Sequence, residues 1–350
     1  MIDYLIIGQG LAGSLISHFL LKENKNIRVL DRAGGNSSRV AAGLYNPVTG
    51  RKMVRTWNAD QLFEGLEDFY QSLEMELDAQ FLTPKRIYRP FLNLAEQNDW
   101  QGRASDPLYH KFIHKIHTQS LYPGIVDDPV GGLELANSGY LDTNRFLNAM
   151  ENYLISKEVL LYDTFRSEDL VMDAGAFEWK GIRSKGVIFC DGVDSKDNKY
   201  FDWLPIHPLK GELLHIKSSV KLRHIINRGV FIMGMGNEIF KVGSTYNWRD
   251  PYSGTTEEGK ADLLERLGQI FRSDFEITNH YSGIRPSTKD RRPFIGGHPE
   301  IKNMWIFNGL GTKGVTLGPY FAKLFIDNLV NNKALDPVVN INRYYLLYNH

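Results

Sequence analysis

Three glycines near the amino terminus, Gly8, Gly10 and Gly13, stand at a spacing that brings backbone close to a diphosphate, and one carboxylate, Asp31, follows about twenty residues later. The chemistry such a set performs is dinucleotide binding. Gly8 permits a tight turn, Gly10 lets the chain approach a pyrophosphate, and Gly13 lets the following helix pack on the preceding strand. The diphosphate would rest on N–H groups at the positive start of that helix, where Leu11 and Ala12 lie. Asp31 is placed to accept hydrogen bonds from ribose hydroxyls, with Arg32 beside it.

Positioning these residues requires an apolar strand before Gly8, a helix from Leu11 to about Leu21, and a second strand over 27–31. The sequence supplies all three. A second set, Gly309-Leu-Gly311-Thr-Lys-Gly314, has the same spacing, follows an expected strand over 304–308 and opens a helix to about Leu329. No acid-bearing strand follows it, so a separate nucleotide site is not expected there.

With 350 residues, 42% hydrophobic and 12% aromatic, the chain can bury a large core as one or two interlocked domains. Lys plus Arg equals Asp plus Glu at 41 each, so no net basic field recruits nucleic acid or anionic lipid. The lone cysteine, Cys190, excludes an intrachain disulfide and zinc sites built on several thiolates. It ends a strand and reads as a core residue bordering the cofactor. The ten histidines show no HExxH pattern, so no metal site is expected, and His207, His215 and His224 read as structural. No apolar run approaches 18 residues, and the first strand directly after Met1, without a basic and apolar leader pattern, leads to the expectation that the mature protein starts here. The expectation is a cytoplasmic protein without a membrane span.

The organisation is interleaved. Residues 34–43, small and flexible, read as a loop approaching a ligand. A helix over 58–77 with Asn58 as its cap comes next, then a polar middle, then a helix capped by Asp142. Strands are expected at 159–162, 170–172, 177–179 and 187–190, the last entering the turn Asp191-Gly192. From Pro208 the pattern becomes antiparallel, with strands at 212–216, 229–233 and 239–243. A helix over 256–271 and a strand into Ser282-Gly-Ile-Arg285 complete that sheet.

Several ordered segments resemble the D-amino acid oxidase and glycine oxidase superfamily of FAD-dependent enzymes, the DAO family. The strongest are Gly283-Ile-Arg-Pro-Ser-Thr-Lys-Asp-Arg-Arg-Pro-Phe-Ile-Gly296 and Gly309-Leu-Gly-Thr-Lys-Gly-Val-Thr-Leu-Gly-Pro319. Ala41-Ala-Gly43, Lys210-Gly-Glu212 and Val242-Gly-Ser-Thr245 are similar to other landmarks of the family. The resemblance implies an α/β protein: a Rossmann-type FAD-binding domain of the glutathione reductase-like, DAO type, from residues 1–45, 140–200 and 285–335. It is interleaved with an α+β substrate domain built on an antiparallel sheet, from 46–139 and 201–284, and residues 336–350 form a C-terminal tail.

The implied cofactor is FAD, held non-covalently, and the implied reaction is oxidation of a C–N bond in a small amine or amino acid. A hydride passes to flavin N5, and the imine is hydrolysed afterwards. Arg285 would hold the substrate carboxylate, and Tyr246 would donate a hydrogen bond in the cavity or simply pack. Ala41, Ala42 and Gly43 would let backbone lie against the flavin, with Asn46 at its polar edge or in a plain loop, and Gly192 near Cys190. Gly309, Gly311, Thr312, Lys313, Gly314, Val315 and Thr316 would form the flavin loop, its N–H groups from Gly311 to Val315 facing the negative charge of reduced flavin. Oxygen or another acceptor would reoxidise FAD. Arg291 and Arg292 read as a solvated turn. Two departures stand out: Leu310 where many relatives have histidine, and Phe231 where glycine oxidase has a tyrosine motif. Two rivals stay open: a flavin enzyme modifying the tRNA wobble uridine, which resembles the chain over the same C-terminal segment, and a non-catalytic flavoprotein, suggested by Leu310 and Phe231.

Overall fold

A strand that is apolar on both faces belongs in the middle of a parallel sheet covered by helices. In the computed structural model, which describes residues 1–32, 34, 37–50, 52–173 and 175–348, Ile2–Ile7 takes that place. It pairs in parallel with Ile27–Asp31 on one side and Ile182–Phe189 on the other, Tyr4 lying opposite both Ile27 and Gly186. Leu160–Tyr162 extends the sheet beyond Ile27–Asp31, and Met304–Asn308 runs parallel to the end of Ile182–Phe189. Two antiparallel additions complete it: the hairpin Leu170–Asp173 and Ala176–Trp179, and Phe294–Gly297 beside Met304–Asn308.

Helices Leu11–Lys22 and Gly314–Asn331 pack against one another. Glycines allow the close approach. A Cβ on Gly314 would lie 2.7 Å from Leu11 Cδ2, and one on Gly318 2.5 Å from Leu15 Cδ1. The central parallel strands therefore all end on one rim, running into Gly8, Arg32, Cys190 and Gly309. That rim is where an open α/β sheet binds ligands.

The second sheet has eight strands in the order Glu276–Thr288, Ile206–Lys217, Ile239–Gly243, Val230–Gly236, Ile225–Arg228, Ile87–Pro90, Gly132–Leu135 and Ile113–His117. The expected antiparallel strands are present, Ile239–Gly243 with the expected bounds and the other two longer than anticipated. The sheet is mixed, because Ile225–Arg228 runs parallel to Ile87–Pro90. Its last three strands come from the stretch read as a polar middle, where Glu134 and Arg89 are buried inside strands and blunt the alternation of apolar residues.

Local readings divide in the same physical way. Asp142 caps its helix, its carboxylate accepting the Arg145 N–H at 3.1 Å, and Thr256 caps Glu257–Gly268 by accepting the Gly259 N–H at 3.1 Å. The helix expected over 58–77 is instead two, Ala59–Phe63 and Leu66–Leu77, because Gly65 adopts φ +66° between them. Asn58 itself has φ +57° and makes no capping bond. Within the loop expected at 34–43, Ser37–Val40 forms one helical turn; Gly35 and Asn36 lie outside the described residues. The tail is docked: Val339 and Ile341 are buried, and Arg343 pairs with Asp290 at 3.0 Å.

Candidate functional site

One cavity of roughly 1480 Å³ runs along the strand-end rim and under the second sheet. At one end lie Gly8, Gly10, Leu11, Ala12, Asp31 and Arg32; at the other lie Arg285 and Tyr246. The two glycine sets of the sequence thus face one space.

The nucleotide end is built from backbone. Gly8 has φ +98°, and a Cβ there would lie 2.7 Å from the Cys190 carbonyl oxygen. A Cβ on Gly13 would lie 1.8 Å from the Gly8 oxygen. Gly13 does not line the cavity, and its work is to seat the helix on the turn. In the first helical turn the Leu11 N–H donates to Ser38 Oγ at 3.2 Å and the Ser14 N–H to the Gly10 carbonyl at 2.9 Å. Those of Ala12 and Gly13 have no carbonyl four residues back within the helix. Asp31 accepts the Gln9 N–H at 2.9 Å, and burial pushes its carboxyl above the usual range. Arg32 pairs with Asp194 at 3.1 Å at the cavity edge.

Sequence reasoning missed the group beneath this end. Asp191, half-buried, has its carboxyl pushed up to about 6 by desolvation. It accepts hydrogen bonds from Ser195 Oγ, from Asn198 Nδ2 at 3.1 Å and from Asn308 Nδ2 at 3.3 Å. Asn308 Nδ2 also donates to the Gly192 carbonyl at 2.8 Å, and Gly192 adopts φ +62°. The Asp191-Gly192 turn was visible in the sequence; its link to Asn308 across 117 residues was not. Cys190 is buried and borders the cavity, and burial holds its thiol well above the ordinary value.

At the middle of the cavity, Ala41, Ala42 and Gly43 present backbone. Gly43 has φ +71°, and a Cβ there would meet the Leu141 oxygen at 1.9 Å. The Ala41 carbonyl accepts from Thr143 Oγ1 and from Lys241 Nζ, each at 3.3 Å. Asn46 lines the cavity, but its Oδ1 is engaged locally by the Val48 N–H at 3.1 Å, which makes it a turn residue.

Opposite lies the second glycine turn, with Gly309 at φ +73° and Gly311 at φ +55°. Gly311 N–H is tied to the Pro286 carbonyl at 3.2 Å and Lys313 N–H to the Leu310 carbonyl at 3.2 Å. Thr312, Gly314 and Val315 therefore present the N–H groups outside these bonds, and Thr316 already bonds back to Lys313 at 3.0 Å. Lys313 reaches across to Thr49 Oγ1 at 3.1 Å and Thr56 Oγ1 at 2.9 Å. Burial first, then the charges of Arg291 and Arg292, pull its ammonium down to about 8.

Arg285 is half-buried beneath the second sheet. Its Nη2 donates to Ser244 Oγ at 2.8 Å and its Nη1 to the Thr245 carbonyl at 3.3 Å. The guanidinium lies over the Tyr246 ring, 5.1 Å from its centroid, and Tyr246 is 57% exposed. Gly211, on the neighbouring strand, makes this pose fit: a Cβ there would fall 2.0–2.3 Å from the guanidinium atoms. Burial lowers the Arg285 pKa, and among the described residues no carboxylate pairs with it. Phe231 and Leu310 are buried at the wall, 7% and 8% exposed. Arg292 is no solvated turn residue; it stacks on Trp57 at 3.9 Å, while Arg291 is exposed.

The arrangement fits a dinucleotide coenzyme. Gly8, Gly13 and Gly43 stand where any side chain would meet backbone, Asp31 places a carboxylate at the strand end that lines the cavity, and the space exceeds the several hundred Å³ of a typical small-molecule pocket. Among the described residues no three His, Cys, Asp or Glu side chains are arranged to hold a metal ion, and no helix is long and apolar enough to cross a membrane.

Comparison with known proteins agrees with this geometry. The family model described as FAD dependent oxidoreductase, DAO, matches residues 3–328. A bifunctional tRNA 5-methylaminomethyl-2-thiouridine biosynthesis protein of Saccharophagus degradans is 23% identical over 357 residues, covering 92% of this chain and 49% of that protein. The chain thus spans about half the length of that relative. A glycine oxidase of Pseudomonas putida is 22% identical over 366 residues, covering 96% of this chain and 95% of its own. Among solved structures, iminodiacetate oxidase from Chelativorans sp. BNC1 superposes with TM-score 0.79 at 19% identity and 98% coverage of both chains. Glycine oxidase from Geobacillus kaustophilus superposes with TM-score 0.78 at 18% identity, covering 98% of this chain and 97% of that one. These structural likenesses establish the fold. The match over residues 3–328, on a cavity shaped for the coenzyme that such proteins use, establishes more: the chain belongs to the DAO family of FAD-dependent oxidoreductases.

Proposed function

We propose that this protein oxidises the C–N bond of a small amine or amino acid that carries a carboxylate, using FAD held without a covalent link. The observation that carries this is Arg285, a guanidinium set in the same cavity as the glycine turns and, among the described residues, hydrogen-bonded to neutral oxygens alone. A planar fork of five donors suits a carboxylate, which it can hold with two parallel bonds. FAD, when bound, supplies the acceptor for the hydrogen and electron pair leaving the carbon next to nitrogen.

This chain's own residues do the rest by position and field. Residues 1–45, 140–200 and 285–335 would hold the coenzyme, and 46–139 and 201–284 would cover the substrate. Gly10, Leu11 and Ala12 would face the diphosphate, Asp31 the ribose, and Ala41–Gly43 with the 309–316 turn the flavin. Ser244 and Thr245 fix the Arg285 fork, and Gly211 leaves it room. Phe231 and Leu310 keep the wall apolar and exclude water. The cations at this end, Arg285, Arg292 and Lys313, also act on the substrate nitrogen: a positive surrounding disfavours ammonium, so the amine binds neutral, with the lone pair that C–N oxidation needs. The imine then leaves to be hydrolysed by water, and oxygen or another acceptor completes turnover. The named activities of the glycine oxidase and iminodiacetate oxidase relatives support this reading, and the balanced charge of the chain weighs against tRNA as substrate. A cytoplasmic location belongs to the same proposal.

Anaerobic mixing of the yellow holoprotein with glycine, sarcosine, D-alanine and L-proline tests it. Bleaching of the flavin by at least one is expected. A flavin that no amine bleaches would sink the proposal.

A further inference from the structure

The two ends of the cavity differ in charge. The nucleotide end is lined by Asp31, Asp191 and Asp194, the other by Arg55, Arg89, Arg266, Arg285, Arg291, Arg292 and Lys313. Three of those cations are neutralised within the protein, Arg55 by Asp60, Arg89 by Glu96 at 4.0 Å and Arg266 by Asp262, and Arg291 is exposed to solvent. The remaining three hydrogen-bond through their side chains to neutral groups or stack on them: Arg285 the oxygens of Ser244 and Thr245, Lys313 two threonine hydroxyls, Arg292 the face of Trp57, with the Asp290 carboxylate near enough to act on Arg292 and to accept its backbone N–H at 2.9 Å. Asp290, two residues before Arg292, pairs instead with Arg343 at 3.0 Å. Among the described residues none of the three makes a salt bridge of its own, and Asp290, the one carboxylate beside Arg292, is shared with Arg343.

They form two poles of one site. The Gly311 N–H to Pro286 carbonyl bond, 3.2 Å, ties the strand end carrying Arg285 to the turn carrying Lys313. Lys313 in turn bridges to Thr49 and Thr56, and Thr56 adjoins Trp57, on which Arg292 lies. Buried or half-buried cations without counter-charge are costly, and proteins retain them where a ligand supplies the anion. A substrate with one carboxylate balances one cation, and a reduced flavin, carrying a single negative charge, balances another. One cation is left over.

We infer that the amine substrate carries two acidic groups, one carboxylate held by Arg285 and a second acidic group held between Lys313 and Arg292 beside Trp57. The inference rests on the proposed amine oxidation and narrows it to acidic amino acids and imino diacids. A carboxylate and a phosphate could each serve as the second group, since both accept from the same donors.

Dead-end ligands test the second pole without turnover. The holoprotein is titrated with acetate, succinate, glutarate and phosphonoacetate while the flavin spectrum is followed. Dianions should bind about 10- to 100-fold more tightly than acetate, the worth of one charge-assisted contact, and Arg292→Gln should collapse that ratio toward one. Succinate against phosphonoacetate then separates a carboxylate from a phosphate as the second group. In anaerobic reduction, iminodiacetate, aspartate or glutamate should bleach the flavin faster than glycine, sarcosine or alanine. Equal binding of acetate and the dianions, with monoacids reducing the flavin as well as diacids, overturns the second pole and leaves amine oxidation standing. Preferential dianion binding lost in Arg292→Gln, with no amine reducing the flavin, upholds the pole and sinks amine oxidation. Displacement by a short RNA with steep salt dependence, and no dianion preference, overturns the inference in favour of a polyanion.

Discussion

At the Gly8 end of the cavity the chain presents backbone; at the Arg285 end it presents side chains. The first surface is made within a short stretch, strand to turn to helix, where glycines stand because any Cβ would strike a carbonyl. The second is assembled from residues near 56, 211, 231, 244, 285 and 313, brought together by a sheet and a turn far apart in sequence. A backbone surface tolerates no local change but is indifferent to what lies beyond the coenzyme. A side-chain surface can be rewritten one residue at a time, and under the proposed function it is where substrate choice would reside.

The sharpest way to break this contrast is Gly13→Ala. The new methyl would sit 1.8 Å from a backbone oxygen that has no rotamer to escape into. A loss of about 3 kcal/mol or more is expected, with colourless or insoluble protein. Thermal unfolding and the visible flavin band measure it. A yellow variant with unchanged melting temperature would show that the turn has slack and that the first half of the comparison is wrong.

Gly211→Ala makes the complementary test. Its methyl would also clash, at 2.0–2.3 Å, but with the far end of a flexible side chain. The Arg285 fork should swing aside while the fold and the flavin stay. kcat/KM for amino acids should fall about 10- to 100-fold, as when a charge-assisted contact is lost, with little change in melting temperature. Arg285→Lys should match it, since a point charge cannot make the paired contact. If Gly211→Ala instead bleaches the protein or unfolds it, this glycine belongs with the backbone class.

How much of this was legible follows the same division. The Gly8–Gly13 turn, Asp31 and the final helix could be read because their signals are local in sequence: a period, a spacing, an acid at a strand end. The antiparallel half of the second sheet was legible for the same reason. The strands over 87–135 were not, since buried Glu134, paired with His117 at 2.9 Å, and buried Arg89, 4.0 Å from Glu96, break the apolar alternation that marks a strand. The Asp191–Asn308 link and the Lys313 bridge to Thr49 and Thr56 were hidden too, each joining segments more than 100 residues apart. Arg292 read as solvated because its aromatic partner, Trp57, lies 235 positions away in the chain.

Lys313 offers a smaller effect with a definite sign. Its ammonium is held down to about 8, chiefly by burial, from an ordinary value of 10.5. An anionic ligand needs the protonated form, so affinity for dicarboxylates should weaken about 3- to 10-fold as pH rises through 8. Stability moves the other way. Between about 8 and 10.5 the unfolded chain holds this proton and the folded one does not, so the contribution of Lys313 to stability rises with pH across that window. Lys313→Met should flatten both trends. Parallel pH profiles in wild type and variant would remove Lys313 from the side-chain surface.

The smallest effect expected is at Tyr246, and it decides what that residue is for. The ring lies under the Arg285 guanidinium at 5.1 Å, while no hydrogen bond engages its hydroxyl among the described residues and more than half the side chain is exposed. If the ring steadies the fork, Tyr246→Phe should keep kcat/KM within about twofold, and Tyr246→Ala should lose about 2- to 5-fold, the worth of an exposed cation–π contact. If the hydroxyl donates to substrate, Phe should cost as much as Ala. A drop at Phe that leaves acetate binding intact would place the hydroxyl on the reacting amine rather than on the carboxylate. That result would add a neutral hydrogen-bond donor to a surface whose other ligand-facing groups are cations.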